Sequence, residues 1–265
     1  RKRLDFKVMS KGELHMKKLI TAAAIAALFA HTAAYAEEPA TAEAASPWGS
    51  FSATIGAMSD YRDRGVTNSD ESPALQGSID WEHDSGLYAG AWASRVDFND
   101  GGEAKVELDT YIGYTHEWGG FEWDYMLNGI WYPTASDMLD YDFVELSVAA
   151  TREFGPVSAT GKVYFSPDNF ADSGPAWYPR LDLEVPLMET GFTATGSVGR
   201  QFVDNEVNFG LPDYTDWSLG AKYSWKGIDM ALTYVDTNLS KAQCADGCDA
   251  AVVFSIAHTF GGSEE

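Results

Sequence analysis

Three observations in the amino-acid sequence predict an all-β fold and, within that class, a transmembrane antiparallel up-and-down β-barrel of about twelve strands. Polar and apolar residues alternate almost without interruption from Trp48 to Phe260, which is the period of a strand with two unlike faces. Tight turns and longer polar segments take turns between the runs, as they do when hairpins are short at one barrel end and looped at the other. Aromatic residues crowd the ends of the runs, where a membrane–water interface favours amphipathic rings.

The chain opens on material outside that pattern. Met16-Lys17-Lys18 is a basic start, Leu19 to Ala30 an apolar run, and Ala34-Tyr35-Ala36 a small-x-small cleavage site. This order reads as a secretory signal peptide over 16–36, cut before Glu37. The apolar run is shorter than the ~20 residues a membrane helix needs. Residues 1–15 are read as preceding the native start, 37–47 as a mobile leader rich in Ala, Glu and Pro, 48–260 as the barrel and 261–265 as a tail. Of 18 basic and 40 acidic residues, seven and two fall in 1–36, which leaves 11 against 38, a net of −27. Nucleic acid is thereby excluded as a partner, because binding it needs basic surface. No later segment is apolar enough for a membrane helix.

Strands are predicted over 49–61, 73–83, 87–98, 104–117, 121–132, 141–154, 157–165, 176–186, 192–202, 214–225, 228–236 and 250–260. Residues 73–94, PALQGSIDWEHDSGLYAGAWAS, show the logic. Leu75, Gly77, Ile79 and Trp81 interleave with Gln76, Ser78, Asp80 and Glu82, and Asp84-Ser85-Gly86 breaks the run as a hairpin turn. The same alternation sets Val106, Leu108 and Ile112 against Glu107 and Asp109, and Leu181 and Leu183 against Arg180, Asp182 and Glu184. It is less clear in the third and tenth strands. Tight turns fall at 84–86, 118–120, 155–156, 188–191 and 226–227, and long connections at 62–72, 99–103, 133–140, 166–175, 203–213 and 237–249. An even strand count puts both termini on the short-turn, periplasmic side. A soluble sandwich would also alternate. The aromatic strand ends, and the many Ser, Thr, Gly and Ala residues on the polar faces, favour a barrel with a crowded lumen.

The stretches Ser59-Asp60-Tyr61-Arg62-Asp63-Arg64-Gly65-Val66, Pro73-Ala74-Leu75-Gln76-Gly77, Gly86 to Ser94, and Glu107-Leu108-Asp109 with Tyr111-Ile112-Gly113-Tyr114 carry a family resemblance. Through them the first half of the barrel resembles the TorF-type porin family of proteobacterial outer-membrane proteins. Two features depart from that family's pattern. Asp63 stands between the two arginines where an apolar residue is expected, and Phe260 is followed by Gly261-Gly262-Ser263-Glu264-Glu265 instead of ending the chain. The resemblance implies an outer-membrane barrel and a channel, and names no solute.

Strand parity turns Asp80, Glu82, Glu107, Asp109, Glu122, Asp124, Glu145, Asp182, Glu184 and Asp229 inward, with Arg95, Lys105, Lys162, Arg180 and Lys222 against them. Eight strands leave an interior that side chains fill and sixteen an open channel, so twelve imply a narrow charged pore. Its acidic excess favours cations. The expected function is therefore passive diffusion of small solutes, with a non-conducting structural or surface-interaction barrel as the alternative. Tyr61, Arg62, Arg64 and Gly65 lie at the outer end of the first strand. There the arginines either chelate an oxyanion of a solute or of lipopolysaccharide, or pair with Asp63 and nearby acids to fix the first loop.

Cys244 and Cys248, in an exported chain, are expected to pair as a loop-closing disulfide. Their three-residue spacing suits no redox motif, and no histidine completes a zinc site. Acids such as Asp168, Asp172, Asp204 and Glu206 lack the spacing of a calcium loop, so no metal or other cofactor is implied. Catalysis is not expected either: Ser255 and His258 differ in parity and no Gly-x-Ser-x-Gly elbow occurs. Implied partners are outer-membrane lipid and lipopolysaccharide and the outer-membrane assembly machinery. A monomer and a homo-oligomer both stay open.

Overall fold

A computed structural model describes residues 47–99 and 104–262. The signal peptide, residues 1–15, nearly all of the leader and the last three residues of the tail lie outside the described residues. Twelve long strands run as β1 (Ser50–Met58), β4 (Ala74–Glu82), β5 (Leu87–Arg95), β6 (Val106–Trp118), β7 (Phe121–Trp131), β8 (Phe143–Phe154), β9 (Val157–Ser166), β10 (Ala176–Pro186), β11 (Phe192–Val203), β12 (Tyr214–Trp225), β13 (Ile228–Thr237) and β14 (Ala251–Gly261). Between β1 and β4 sits a miniature ribbon, β2 (Arg62–Asp63) and β3 (Val66–Thr67).

The twelve long strands form one closed barrel in sequence order, and the ring is completed where β1 meets β14. That seam is antiparallel, from Ser52 opposite Gly261 to Met58 opposite Ser255. Closure has a physical cause: hydrocarbon offers no partner to a peptide N–H or C=O, so a spanning sheet can have no open edge. No helix among the described residues is long and apolar enough to cross a membrane; the strands do so.

Burial is inverted relative to a water-soluble sheet, and this rejects the sandwich. Leu75, Ile79 and Leu219 are 63–67% exposed, whereas Gln76 and Asp80 on the same strand as Ile79 are 2% exposed. The apolar parity faces outward, to lipid, and the polar parity faces a lumen. Trp118, Phe154, Trp225 and Phe260 stand exposed at the short-turn end, and Trp131, Trp177 and Phe202 toward the loop end, as interfacial girdles require.

Two strands end three residues earlier than expected. The first stops at Met58, not 61, and the third at Arg95, not 98. In the first case Asp60 accepts from Thr67 Oγ1 at 2.6 Å and Ser69 Oγ caps Tyr61 N at 2.9 Å, so side chains divert the backbone from the ladder into the ribbon. Leu219→Arg, on the lipid face, should lower stability in lipid vesicles by about 2–4 kcal/mol, read as a shifted urea unfolding midpoint.

Candidate functional site: the lumen and its first-loop hairpin

The first loop turns inward. Arg62 pairs with Thr67 and Asp63 with Val66, which leaves Arg64-Gly65 as a two-residue turn with φ of 46° and 85°. Positive φ at both central positions is the turn that matches strand twist in a tight hairpin. Glycine is required at the second position for space as well. A Cβ on Gly65 would lie 2.6 Å from Thr237 Cγ2 and 2.9 Å from Asp216 Cβ.

From this tip Arg64 reaches the far wall. Its Nη2 donates to Glu145 Oε1 at 2.6 Å and Oε2 at 2.7 Å, and its Nη1 to Gln201 Oε1 at 2.9 Å. The guanidinium also lies over the Tyr178 ring, 4.4 Å from its centroid, and 5.3 Å from that of Tyr164. These partners sit on β8, β9, β10 and β11, across the ring from β1 and β4. Burial alone would lower the Arg64 pKa; Glu145, and then Asp63, hold it above the ordinary arginine value. One arginine thus bridges the lumen.

The root of the hairpin is tied as firmly. Arg62 Nε donates to Asp60 Oδ2 at 2.5 Å and its Nη1 to Asp249 O at 2.7 Å. Thr67 N donates to Gly247 O at 2.9 Å, inside the last loop that the Cys244–Cys248 disulfide closes. Tyr61 is buried edge-on to Trp92 and donates to Glu107 Oε1 at 2.6 Å, while Tyr132 donates to Oε2 at 2.8 Å. Burial, then the Glu107 charge, push both phenols above the ordinary tyrosine value, so both act as neutral donors.

Of the charged residues that parity turned inward, the structure buries Asp80, Glu107, Asp109, Glu145, Asp182 and Lys222 on the inner face. Glu82, Glu122, Asp124, Lys162, Arg180, Glu184 and Asp229 share that face and are partly buried. Few of these acids meet a cation. Arg180 Nε reaches Asp182 at 2.8 Å and Lys222 reaches Glu184 at 3.0 Å. Besides Glu145, held by Arg64, several take phenols, hydroxyls and amides: Tyr88 donates to Asp124 at 2.7 Å, Tyr111 to Asp80, Ser224 to Asp229 and Asn128 to Asp109 at 2.9 Å. Tyr88 reaches Asp124 by crossing Gly113, where a Cβ would stand 2.1 Å from its ring.

Two positions are corrected. Arg95 has the parity of the lipid face, since Tyr88, Trp92 and Ser94 are the buried residues of β5. It sits at the rim, donating to Pro73 O at 3.2 Å and lying 3.4 Å from Asp97. Lys105 has the inward parity but precedes the first paired residue of β6, and its ammonium stays half-exposed near Asp97 at 3.9 Å. At Arg95, paired with Val106, parity holds and points outward, so the inward assignment chose the wrong face; at Lys105 the strand has not yet begun. Sequence reasoning named Tyr61, Arg62, Arg64 and Gly65 as a loop motif but missed that its tip turns into the lumen, and it missed Gln201 and the inward-facing Tyr88, Tyr111 and Tyr178. The signal for the tip was Asp63-Arg64-Gly65-Val66, a glycine-closed two-residue turn.

Two cavities flank the hairpin. One of about 190 Å³ touches Arg62, Asp63, Arg180, Asp216 and Lys222; the other, of about 90 Å³, touches Asp63, Glu107, Asp109, Asn128, Glu145 and Lys162. The described histidines have separate partners. His83 bonds Ser85, His116 stacks between Tyr114 and Tyr125, and His258 meets Gly227 O.

This geometry defines the class: a transmembrane β-barrel with a polar lumen narrowed by its own first loop. The chain belongs to the Gcw_chp family, described as bacterial protein of unknown function, whose family model matches residues 41–260. No curated protein matches the sequence. Among solved structures the chain is similar to KdgM porin, with 6% identity, a TM-score of 0.51, and coverage of 80% of this chain and 98% of that one. It is also similar to NanC porin, at 9% identity and TM-score 0.49 over 79% and 98% of the two chains. An outer-membrane channel from Pseudomonas putida F1 matches at 9% and 0.48 over 85% and 100%. The likeness to KdgM porin shows a shared fold.

Arg64→Met should leave Glu145 buried without its partner and destabilise the barrel by about 3–5 kcal/mol. A lower melting temperature in the heat-modifiable gel shift of the detergent-solubilised protein would register this.

Proposed function

We propose that this protein is a porin-like channel of the TorF type in the bacterial outer membrane, passing small solutes by passive diffusion and preferring cations. The observation that carries the reading is the pair of polar cavities inside a closed barrel, one on each side of a hairpin that narrows the lumen without filling it. A barrel that only anchored surface loops would need no such polar space. Cation preference is supported by the excess of inward acids over inward Lys and Arg, since fixed charge at a constriction selects the opposite sign. Both termini face the periplasm in this reading, the lipid face meets outer-membrane lipid and lipopolysaccharide, and insertion depends on the outer-membrane assembly machinery. The chemistry is diffusion, with no cofactor and no catalysis.

A second reading, a non-conducting structural barrel, is favoured by one specific observation: the Arg64 bridge spans the lumen from wall to wall. The two readings separate in planar bilayers. The refolded protein should give ohmic currents that reverse toward the cation potential in a salt gradient. Arg64→Ala, which removes the bridge, should raise unitary conductance at least twofold. Silence from both proteins would establish the structural reading, and an anion-directed reversal potential would overturn the charge argument alone.

A further inference from the structure

Resting on the channel reading, we infer that the smaller cavity is a binding subsite for a small zwitterion, a molecule carrying an ammonium and a carboxylate on one short skeleton. The cavity, about 90 Å³, is lined from the hairpin round to β10, and its uncommitted hydrogen-bonding capacity is segregated by wall.

On β6 and β7 stand Asp109 and Asn128, joined by Asn128 Nδ2 donating to Asp109 Oδ2 at 2.9 Å. Each is at least nine-tenths buried, and Asp109 Oδ1 and Asn128 Oδ1 are both without a hydrogen-bond partner. Buried acceptors left unmade are costly. Two of them side by side, one on a carboxylate, match an ammonium, which offers three donors.

On β9 and β10 the cavity meets Lys162 and Arg180, directly opposite each other in the ladder. Like charges so placed repel. Arg180 gives Nε to Asp182 at 2.8 Å, and none of the described residues accepts from its Nη groups. Lys162 lies 5.6 Å from the Tyr164 ring centroid, interacts with the Tyr164 hydroxyl and, through space, with Asp124 and Asp182, and makes no ion pair within 4 Å among the described residues, so its ammonium keeps donors to spare. This wall therefore presents donors suited to a carboxylate. Arg64 is matched by Glu145, and Glu107 by two phenols. Asp63 lies 3.7 Å from Arg64 and Asp182 takes Arg180 Nε, so what remains in the lining is the Asp109–Asn128 pair on one wall and Lys162 with the Arg180 Nη groups on the other. A lone cation would meet Lys162 and a lone anion would meet Asp109; a molecule with both charges satisfies both walls.

Calorimetric titration of the refolded, detergent-solubilised protein tests this with glycine and 4-aminobutyrate against methylammonium and acetate. At least one zwitterion should bind saturably and at least tenfold more tightly than either singly charged control. Asp109→Asn and Lys162→Met should each weaken that binding at least tenfold, in samples whose gel shift shows a folded barrel. Asn128→Leu serves as a further variant should either fail to fold. The inference is overturned if no zwitterion binds, if acetate or methylammonium binds as tightly, or if the folded variants bind like the parent. Bilayer recordings on the same preparation separate it from the channel reading. Conduction without zwitterion binding ends the inference and leaves the channel, and binding without conduction does the reverse.

Discussion

The absence of any hydrogen-bonding partner in hydrocarbon governs this molecule. Because lipid cannot satisfy a peptide group, each strand must be paired on both sides, and the ring closes where Ser52 to Met58 meets Ser255 to Gly261. Closure divides the side chains into two solvents. The parity that carries Ile79 and Leu219 faces lipid, and the parity that carries Gln76, Asp80 and Asp109 is shut inside. The charged interior is a consequence of the closed backbone.

An interior so rich in acids needs donors, and cations are the lesser part of the supply. Tyr88, Tyr111 and Tyr178 lie against glycines of neighbouring strands and give their hydroxyls to Asp124, Asp80 and Asp216. Tyr61 and Tyr132 do the same for Glu107. A phenol satisfies a carboxylate's hydrogen bond without bringing a positive charge into the lumen. Arg64, like Arg180 and Lys222, meets an acid as a cation, and of the three it alone does so from the first loop. A charge pair away from water is stable only with its remaining hydrogen bonds made, and Arg64 meets that condition with two bonds to Glu145, one to Gln201 and two aromatic faces.

The strands were legible because the period of two is local: each residue reports its own face. Twelve runs, their tight turns and the inward parity of residues such as Glu107, Asp109 and Asp182 follow from neighbours along the chain. Errors gathered at strand ends. Arg95 is the last residue of β5, still paired with Val106, and its own parity turns it to the lipid side, while Lys105 stands just before β6 at the rim. The first loop failed for a related reason. Its arginines were visible beside Asp60 and Asp63, and Arg62 does pair with Asp60 at 2.5 Å, but no local pattern says whether a loop turns out to water or into the barrel.

By itself the sequence determined a lipid-facing sheet of twelve strands, a polar inner surface with an acidic excess, and a short disulfide loop between Cys244 and Cys248, because alternation, composition and spacing are properties of adjacent residues. Only the tertiary structure decided what happens inside. It brought Arg64 to Glu145 and Gln201, 81 and 137 positions away along the chain, and parted the lumen into two cavities of different charge. Such contacts depend on the register between strands and the curvature of the closed ring, which fix distances across the barrel and leave no trace in any short stretch of chain.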